Sequence, residues 1–477
     1  MQPLPSTFPT RAREHPWHSS SRLARQFLLA LTLTWLAFLQ ARAADLGLQT
    51  LSEFGFNPKN PQGGLAQGND GNLYGTTAFG GTSGENGTVF KMTSDGTLDS
   101  LFSFNGTNGS HPLASLLLAN DGNFYGTTAF GGSNANNGTV FRITPSGTFT
   151  LLYFFKGSDG SSPMGGLVQG TDGSLYGTTS TGGASGATNG TVYKITLGGL
   201  FTSLLTFPSN GRSGRAPMGN LVQGSDGSFY GTTSAGGTSE NGTVFKITPT
   251  GTFSSLVSFS GLNGSFPAAG LVRGSDGNFY GTTQFGGAHD DNGTVFKVTP
   301  SGVLTSLFSF SGPDGNYPVA ALVTGPEGNF YGTTSGDRSF GGANTFGTAF
   351  RITPAGALGT LVFFQGTNGA CPVAGLTRGG DTNFYGTTFQ GGAGSGGTVF
   401  RLVAPPRISA IRAAGGNVTL TWSSFTNGTY RVEYKSALTA PSWTALSPDV
   451  RATTGQTSIT NNPQGATLRF YRVSLQP

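Results

Sequence analysis

Leu221-Val-Gln-Gly-Ser-Asp-Gly-Ser-Phe-Tyr-Gly-Thr-Thr233, then a Gly-Gly loop, then Asn241-Gly-Thr-Val-Phe-Lys-Ile-Thr248, is a frame that recurs along most of this 477-residue chain. Its Tyr-Gly-Thr-Thr core begins at Tyr74, Tyr125, Tyr176, Tyr230, Tyr280, Tyr331 and Tyr385, at intervals of 51, 51, 54, 50, 51 and 54 residues. A fixed period near fifty residues marks a repeat architecture, in which each unit is one supersecondary element. In the fifth unit four strand-like runs stand out: Ala269–Arg273, Asn278–Thr283, Gly293–Thr299 and Leu304–Phe310. Asp276-Gly277, Gly286-Gly287, Asn292-Gly293 and Pro300-Ser-Gly302 separate them as turns. Four short antiparallel strands per unit are a β-propeller blade.

The ends of the array sharpen this reading. Leu46–Phe54 matches a fourth strand and precedes the first unit, whereas the last unit stops after Thr398-Val-Phe-Arg-Leu402, its third. An N-terminal strand that completes the last blade closes the sheet array and removes an open edge. A linear solenoid would want polar capping repeats instead. The expectation is an all-β, seven-bladed propeller over 44–403, a linker at 404–407 around Ala404-Pro405-Pro406, and a small β-sandwich over 408–477.

Composition agrees. The chain holds 80 Gly and 38 Phe, with 10% charged and 12% aromatic residues, which excludes collagen and argues against disorder. Arg22 and Arg25 precede an apolar run from Phe27 to Leu39, and Ala41-Arg-Ala43 offers a cleavage site, so residues 1–43 read as a secretory signal peptide. The expected location is therefore secreted or extracytoplasmic, in the cell envelope, with no membrane span after signal removal. Beyond residue 43 there are 21 basic and 20 acidic residues, and nothing resembles a nucleic-acid footprint. Cys371 is the single cysteine, so no intramolecular disulfide is available.

Most repeated side chains have structural readings. The column Asp70, Asp121, Asp172, Asp226, Asp276, Glu327 and Asp381 suits tight turns. A basic column runs through Lys91, Arg142, Lys194, Lys246, Lys297, Arg351 and Arg401. It suggests seven structural acid–base pairs or stems lying along the blade edge; a cationic ring for an anion is the sharper alternative. The Tyr and Phe columns are expected to fill the space between blades, and the Asn-Gly sequons read as hairpin turns.

With the first strand innermost, the short one–two and three–four turns share one face, and the variable two–three and four-to-next loops share the other. The residue before each recurring Pro varies: Asn60, His111, Ser162, Ala216, Phe266, Tyr317, Cys371. Function concentrates on variable loops over a rigid scaffold. The candidate ligand-binding residues are His111, Arg215, Phe266, His289, Tyr317 and Arg338, against the alternative that these loops drift unconstrained. No catalytic residue, metal site or cofactor is assigned, because His is scarce, free acids are sparse and no nucleophile motif stands out.

Asp-Gly-Asn-Phe-Tyr-Gly-Thr-Thr, Gly-Gly and Asn-Gly-Thr-Val-Phe-Lys-Ile-Thr together resemble the GloVer tandem repeat of exported bacterial proteins, over roughly residues 46–403. The resemblance implies export and repetition and supplies no catalytic residues. Leu420-Thr-Trp422 and Tyr430-Arg-Val-Glu-Tyr434 resemble strands of a fibronectin type III-like domain. The expected partner is an extracellular glycan or surface protein. An enzyme acting on an extracellular polymer and a purely structural envelope component are the other readings.

Overall fold

Each Tyr-Gly-Thr-Thr segment is the second strand of a four-stranded antiparallel sheet, as in Phe229–Thr233 of the fourth unit. The computed structural model describes residues 47–475 apart from 133–135, 185–188, 209, 338–345, 382, 404, 405, 407, 425–428, 438, 454, 455 and 464–468. Residues 1–43 and Arg338 lie outside the described residues. Seven such sheets follow one another as the blades of an all-β propeller. Six take their strands in chain order. In the seventh, Thr377–Arg378, Phe384–Thr388 and Thr398–Val403 are completed by Gly47–Glu53, with Gly47 opposite Val403 and Glu53 opposite Thr398. The phase shift seen in the sequence is this shared blade.

The repeat motif explains the packing. The second strand is buried on both sides, so each of its residues has a partner. Tyr230 stacks on Phe279 of the next blade at 4.1 Å. Gly231 leaves room for Phe245, whose ring would lie 2.7 Å from an added Cβ. Thr233 Oγ1 meets Thr243 Oγ1 across the blade at 2.8 Å. Thr232 Oγ1 donates to the Ala269 carbonyl of the next blade, and its six counterparts do the same around the ring at 2.8–3.3 Å. The last of them, Thr387 to Gly63, joins the seventh blade to the first.

The hydrophobic core accordingly lies between blades. Tyr230, Val244 and Phe259 of blade four pack with Leu271, Phe279, Phe296 and Val298 of blade five. At the closure, Phe54, Tyr385 and Val399 pack with Leu65, Leu73, Phe90 and Met92. Truncating one of the fully buried rings, such as Phe245, costs about 3–5 kcal/mol.

The innermost strand is shorter than the sequence suggests. Val272–Arg273 stands where Ala269–Arg273 was expected. Ala268, Ala269 and Gly270 leave the ladder to line the axis, and the Ala269 carbonyl takes its hydrogen bond from Thr232 of the preceding blade.

Residues 408–475 form two three-stranded sheets around Trp422. One has the order Ile408–Ala414, Asn417–Ser423, Gln456–Asn461, and the other Thr444–Arg451, Thr429–Lys435, Phe470–Leu475. Sequence reading missed Ile408–Ala414 and Gln456–Asn461: the first has no clean apolar–polar alternation, the second has a single large apolar residue, and both are largely exposed. Among the described residues no helix is long and apolar enough to cross a membrane.

Candidate functional site

The seven residues before the recurring prolines share one unusual backbone state. Asn60, His111, Ser162, Ala216, Phe266, Tyr317 and Cys371 all have φ between 53° and 59°. This left-handed region costs a non-glycine residue about 1–2 kcal/mol. Two hydrogen bonds hold it in place. The Phe266 amide donates to the Asn241 carbonyl at 3.0 Å, and the Phe266 carbonyl accepts from the Gln284 amide at 3.0 Å. His111 is held likewise by Asn86 and Ala129, and Tyr317 by Asn292 and Ser335. Backbone partners therefore fix the geometry and leave the side chain free to differ, yet none of the seven is the glycine that would relieve the strain.

Inside this ring the post-proline residues line an axial cavity of about 450 Å³. Leu113, Met164, Met218, Val319 and Val373 give it apolar walls, and Phe266, Gln284 and Phe389 lie on its loop side. Two of its polar side chains are tied to backbone: Ser115 Oγ accepts from the Gly64 amide at 2.8 Å, and Asn220 Oδ1 from the Gly166 amide at 2.5 Å. No described residue lining it is titratable.

Two aromatic clusters stand on the same loop side. His111 lies between Phe79, 4.9 Å away, and Phe130, 5.6 Å away, both edge-to-face. Burial lowers the His111 pKa against a weaker upward pull from Glu85, and its Nδ1 sits 2.6 Å from Ser110 Oγ. Glu85 is paired with Lys59 at 2.9 Å. Three blades on, Phe285 bridges Phe266 at 5.8 Å and Tyr317 at 5.5 Å. The structure thus joins Phe266 to Tyr317 and places His111 in a separate cluster. Arg215 pairs with Glu240 at 2.9 Å. His289 is exposed in a turn and joins neither cluster. Among the described residues no group of His, Cys, Asp and Glu could hold a metal ion. Sequence reading missed Phe79, Phe130 and Phe285; their signal was a phenylalanine directly before Gly-Gly, a feature of four of the units.

The opposite face is built differently. Asp226 accepts from the Ser228 amide at 3.1 Å, from Tyr230 Oη at 2.9 Å, and pairs with Lys246 at 2.8 Å. Asp70 with Lys91 and Asp172 with Lys194 repeat this ion pair at 3.0 and 2.7 Å. In blade two Arg142 reaches Thr150 Oγ1 at 3.3 Å. The tyrosine hydroxyl donates to the turn carboxylate at 2.7–2.9 Å in the six aspartate units, and Tyr331 does the same to Glu327. Burial and the adjacent Asp121 push the Tyr125 hydroxyl up to about 12, so it stays a donor at neutral pH. This column ties the turn to the strand behind it, and in the three lysine pairs it neutralises the cation.

Repeat sequence, four-stranded blades and a shared closing blade define a propeller built from tandem units. Residues 45–224 and 170–400 match the Gloeobacter/Verrucomicrobia repeat, and the chain belongs to that family. A comparison with curated proteins gave no match. Among solved structures the chain is similar to a gluconolactonase from Xanthomonas campestris, with 13% identity, 76% of this chain and 92% of that chain covered, and a TM-score of 0.41. It is also similar to PorZ, a surface component of the type-IX secretion system of Porphyromonas gingivalis, with 11% identity, 88% and 60% covered, and a TM-score of 0.45. Sqt1 of Saccharomyces cerevisiae shares 10% identity over 80% of this chain and 96% of its own, with a TM-score of 0.45.

Proposed function

We propose that this is an exported bacterial binding protein whose loop face recognises an extracellular glycan. The observation that carries this reading is the ring of seven left-handed, non-glycine residues: their side chains differ while their backbone is held constant. Strain of this kind persists where the surroundings over-determine it, and it clusters at functional sites. The aromatic clusters around His111 and around Phe266, Phe285 and Tyr317 give such a face broad apolar contact. In this reading residues 1–43 direct export and are removed. The C-terminal module is a fibronectin type III-like adhesive element, a view supported by its two three-stranded sheets and buried Trp422.

The test is a pull-down of residues 44–477 on insoluble polysaccharides and envelope fractions, with supernatants assayed for free sugar. Retention without release is expected, and His111→Ala, Phe266→Ala and Tyr317→Ala together should weaken it at least ~tenfold. Sugar release would establish an enzyme instead. Retention confined to protein-bearing fractions would make a surface protein the partner, and unchanged retention by the triple variant would remove this face.

A further inference from the structure

The near-balance of charge beyond residue 43 hides a segregation. Residues 44–403 carry 14 basic and 18 acidic residues, whereas residues 404–477 carry seven basic and two acidic. The module that follows the ring is thus cationic and the ring is anionic.

Strand register collects much of this charge on one surface. In Thr429–Lys435, Tyr430 and Val432 point into the core, so Arg431, Glu433 and Lys435 point outward. Arg472 stands opposite Glu433, and Arg451 opposite Thr429, which puts both on that outward face. Both acids of the module are already engaged there: Asp449 holds Arg431 through two hydrogen bonds of 2.9 and 2.8 Å, and Glu433 pairs with Arg472 at 2.6 Å. Four cations therefore face outward over two carboxylates.

Trp443 organises the surface. Lys435 Nζ lies 5.1 Å and Arg472 Cζ 4.6 Å from its ring centre. Cations seated on aromatic rings lose less freedom when they meet an anion, so the site is partly preorganised.

We propose that this outward face of the C-terminal module binds an anionic polysaccharide, a polymer of uronate-type sugars whose regularly spaced carboxylates meet Lys435, Arg472 and Arg451. The cations over Trp443 occupy ring faces that stacked nucleobases would need, which disfavours single-stranded nucleic acid. The site is separate from the loop face of the ring and does not depend on the reading proposed for it.

The full chain is titrated against polygalacturonate and alginate, with neutral dextran, single-stranded DNA and phosphatidylglycerol vesicles in parallel. Binding to both polyuronates is expected, falling at least ~tenfold as ionic strength rises from about 0.05 to about 0.5 M. Lys435→Ala with Arg472→Ala should weaken it ~tenfold, Lys435→Arg should preserve it, and Arg412→Ala on the other sheet should leave it unchanged. The loop-face triple variant should bind polyuronate normally, which separates failure of this site from failure of the other. Thermal midpoints of all variants, checked first, show that they are folded. Binding to DNA or vesicles as tight as to polyuronate would overturn the proposal. So would salt-sensitive self-association without polymer binding, which would make the anionic ring of a second copy the partner.

Discussion

The two faces of the ring share a seven-fold backbone and differ in how their side chains are used. On the turn face the side chains are the structure: Asp226, Tyr230 and Lys246 bond to one another, and equivalents recur in other blades. On the loop face paired backbone amide and carbonyl bonds hold the geometry at Phe266 and its six counterparts, with a serine hydroxyl added at the Ser162, Ala216 and Tyr317 carbonyls. A position whose geometry is independent of its side chain can vary without loss of fold. One scaffold thereby carries both a fixed surface and a variable one.

The comparison presupposes a closed ring, so breaking closure has the largest expected effect. Deleting residues 46–54 removes the outer strand of the seventh blade and the buried Phe54. It should cost more than ~4 kcal/mol and abolish a single cooperative thermal transition. The same deletion should expose Thr398–Val403 as a free edge, detectable as aggregation.

Acid should act next, and on the turn face. Burial tends to raise Asp70, Asp121, Asp172, Asp226 and Asp276, but hydrogen bonds from neighbouring Asn, Tyr and Lys, with nearby cations, outweigh it and lower all five. A lowered folded-state value means stability that is fully present above the unfolded-state value, about 3.9, and lost as pH falls through the folded one. Urea midpoints should drift down slightly between pH ~6.5 and ~4.5, as depressed His111 titrates, and fall more steeply below that as the carboxylates titrate. A midpoint unchanged at pH ~2.5 would show that these carboxylates contribute nothing.

Single substitutions should separate the faces further. Asp226→Ala leaves the Tyr230 hydroxyl and Lys246 without their partner and should cost about 1–2 kcal/mol. Ala216→Gly on the loop face should instead stabilise by up to about 1 kcal/mol, because its φ of 54° suits glycine. Equal losses from both would erase the distinction. Smallest is a correction within the core: Tyr193 takes the place of Phe245, and its buried hydroxyl has no hydrogen-bond partner. Tyr193→Phe should be neutral or stabilising by about 1 kcal/mol in chemical denaturation.

Legibility followed the range of the interactions. The blades could be read because turn chemistry and strand alternation are local, and seven repetitions make a weak pattern strong. The variable positions His111, Phe266 and Tyr317 were legible as departures from the repeat. Their companions were not: Phe79 meets His111 and Phe285 meets Tyr317 only because blades turn back beside one another, more than thirty residues apart in the chain. The inner strand was read too long because a hydrophobic run does not say whether its carbonyls face a ladder or the next blade. In the C-terminal module Lys435 and Arg472 are too far apart in sequence to suggest a shared ring at Trp443.

The sequence by itself determined the unit, its seven-fold repetition, and the phase shift by which Gly47–Glu53 completes a blade begun at Thr377. Tertiary structure decided the rest: the Thr-to-carbonyl ring between blades, the left-handed state of seven dissimilar residues, and the aromatic and cationic clusters. The physical reason is that a turn or a strand is specified by neighbours along the chain. A hydrogen bond or ring contact across blades exists only once closure has brought separate units together.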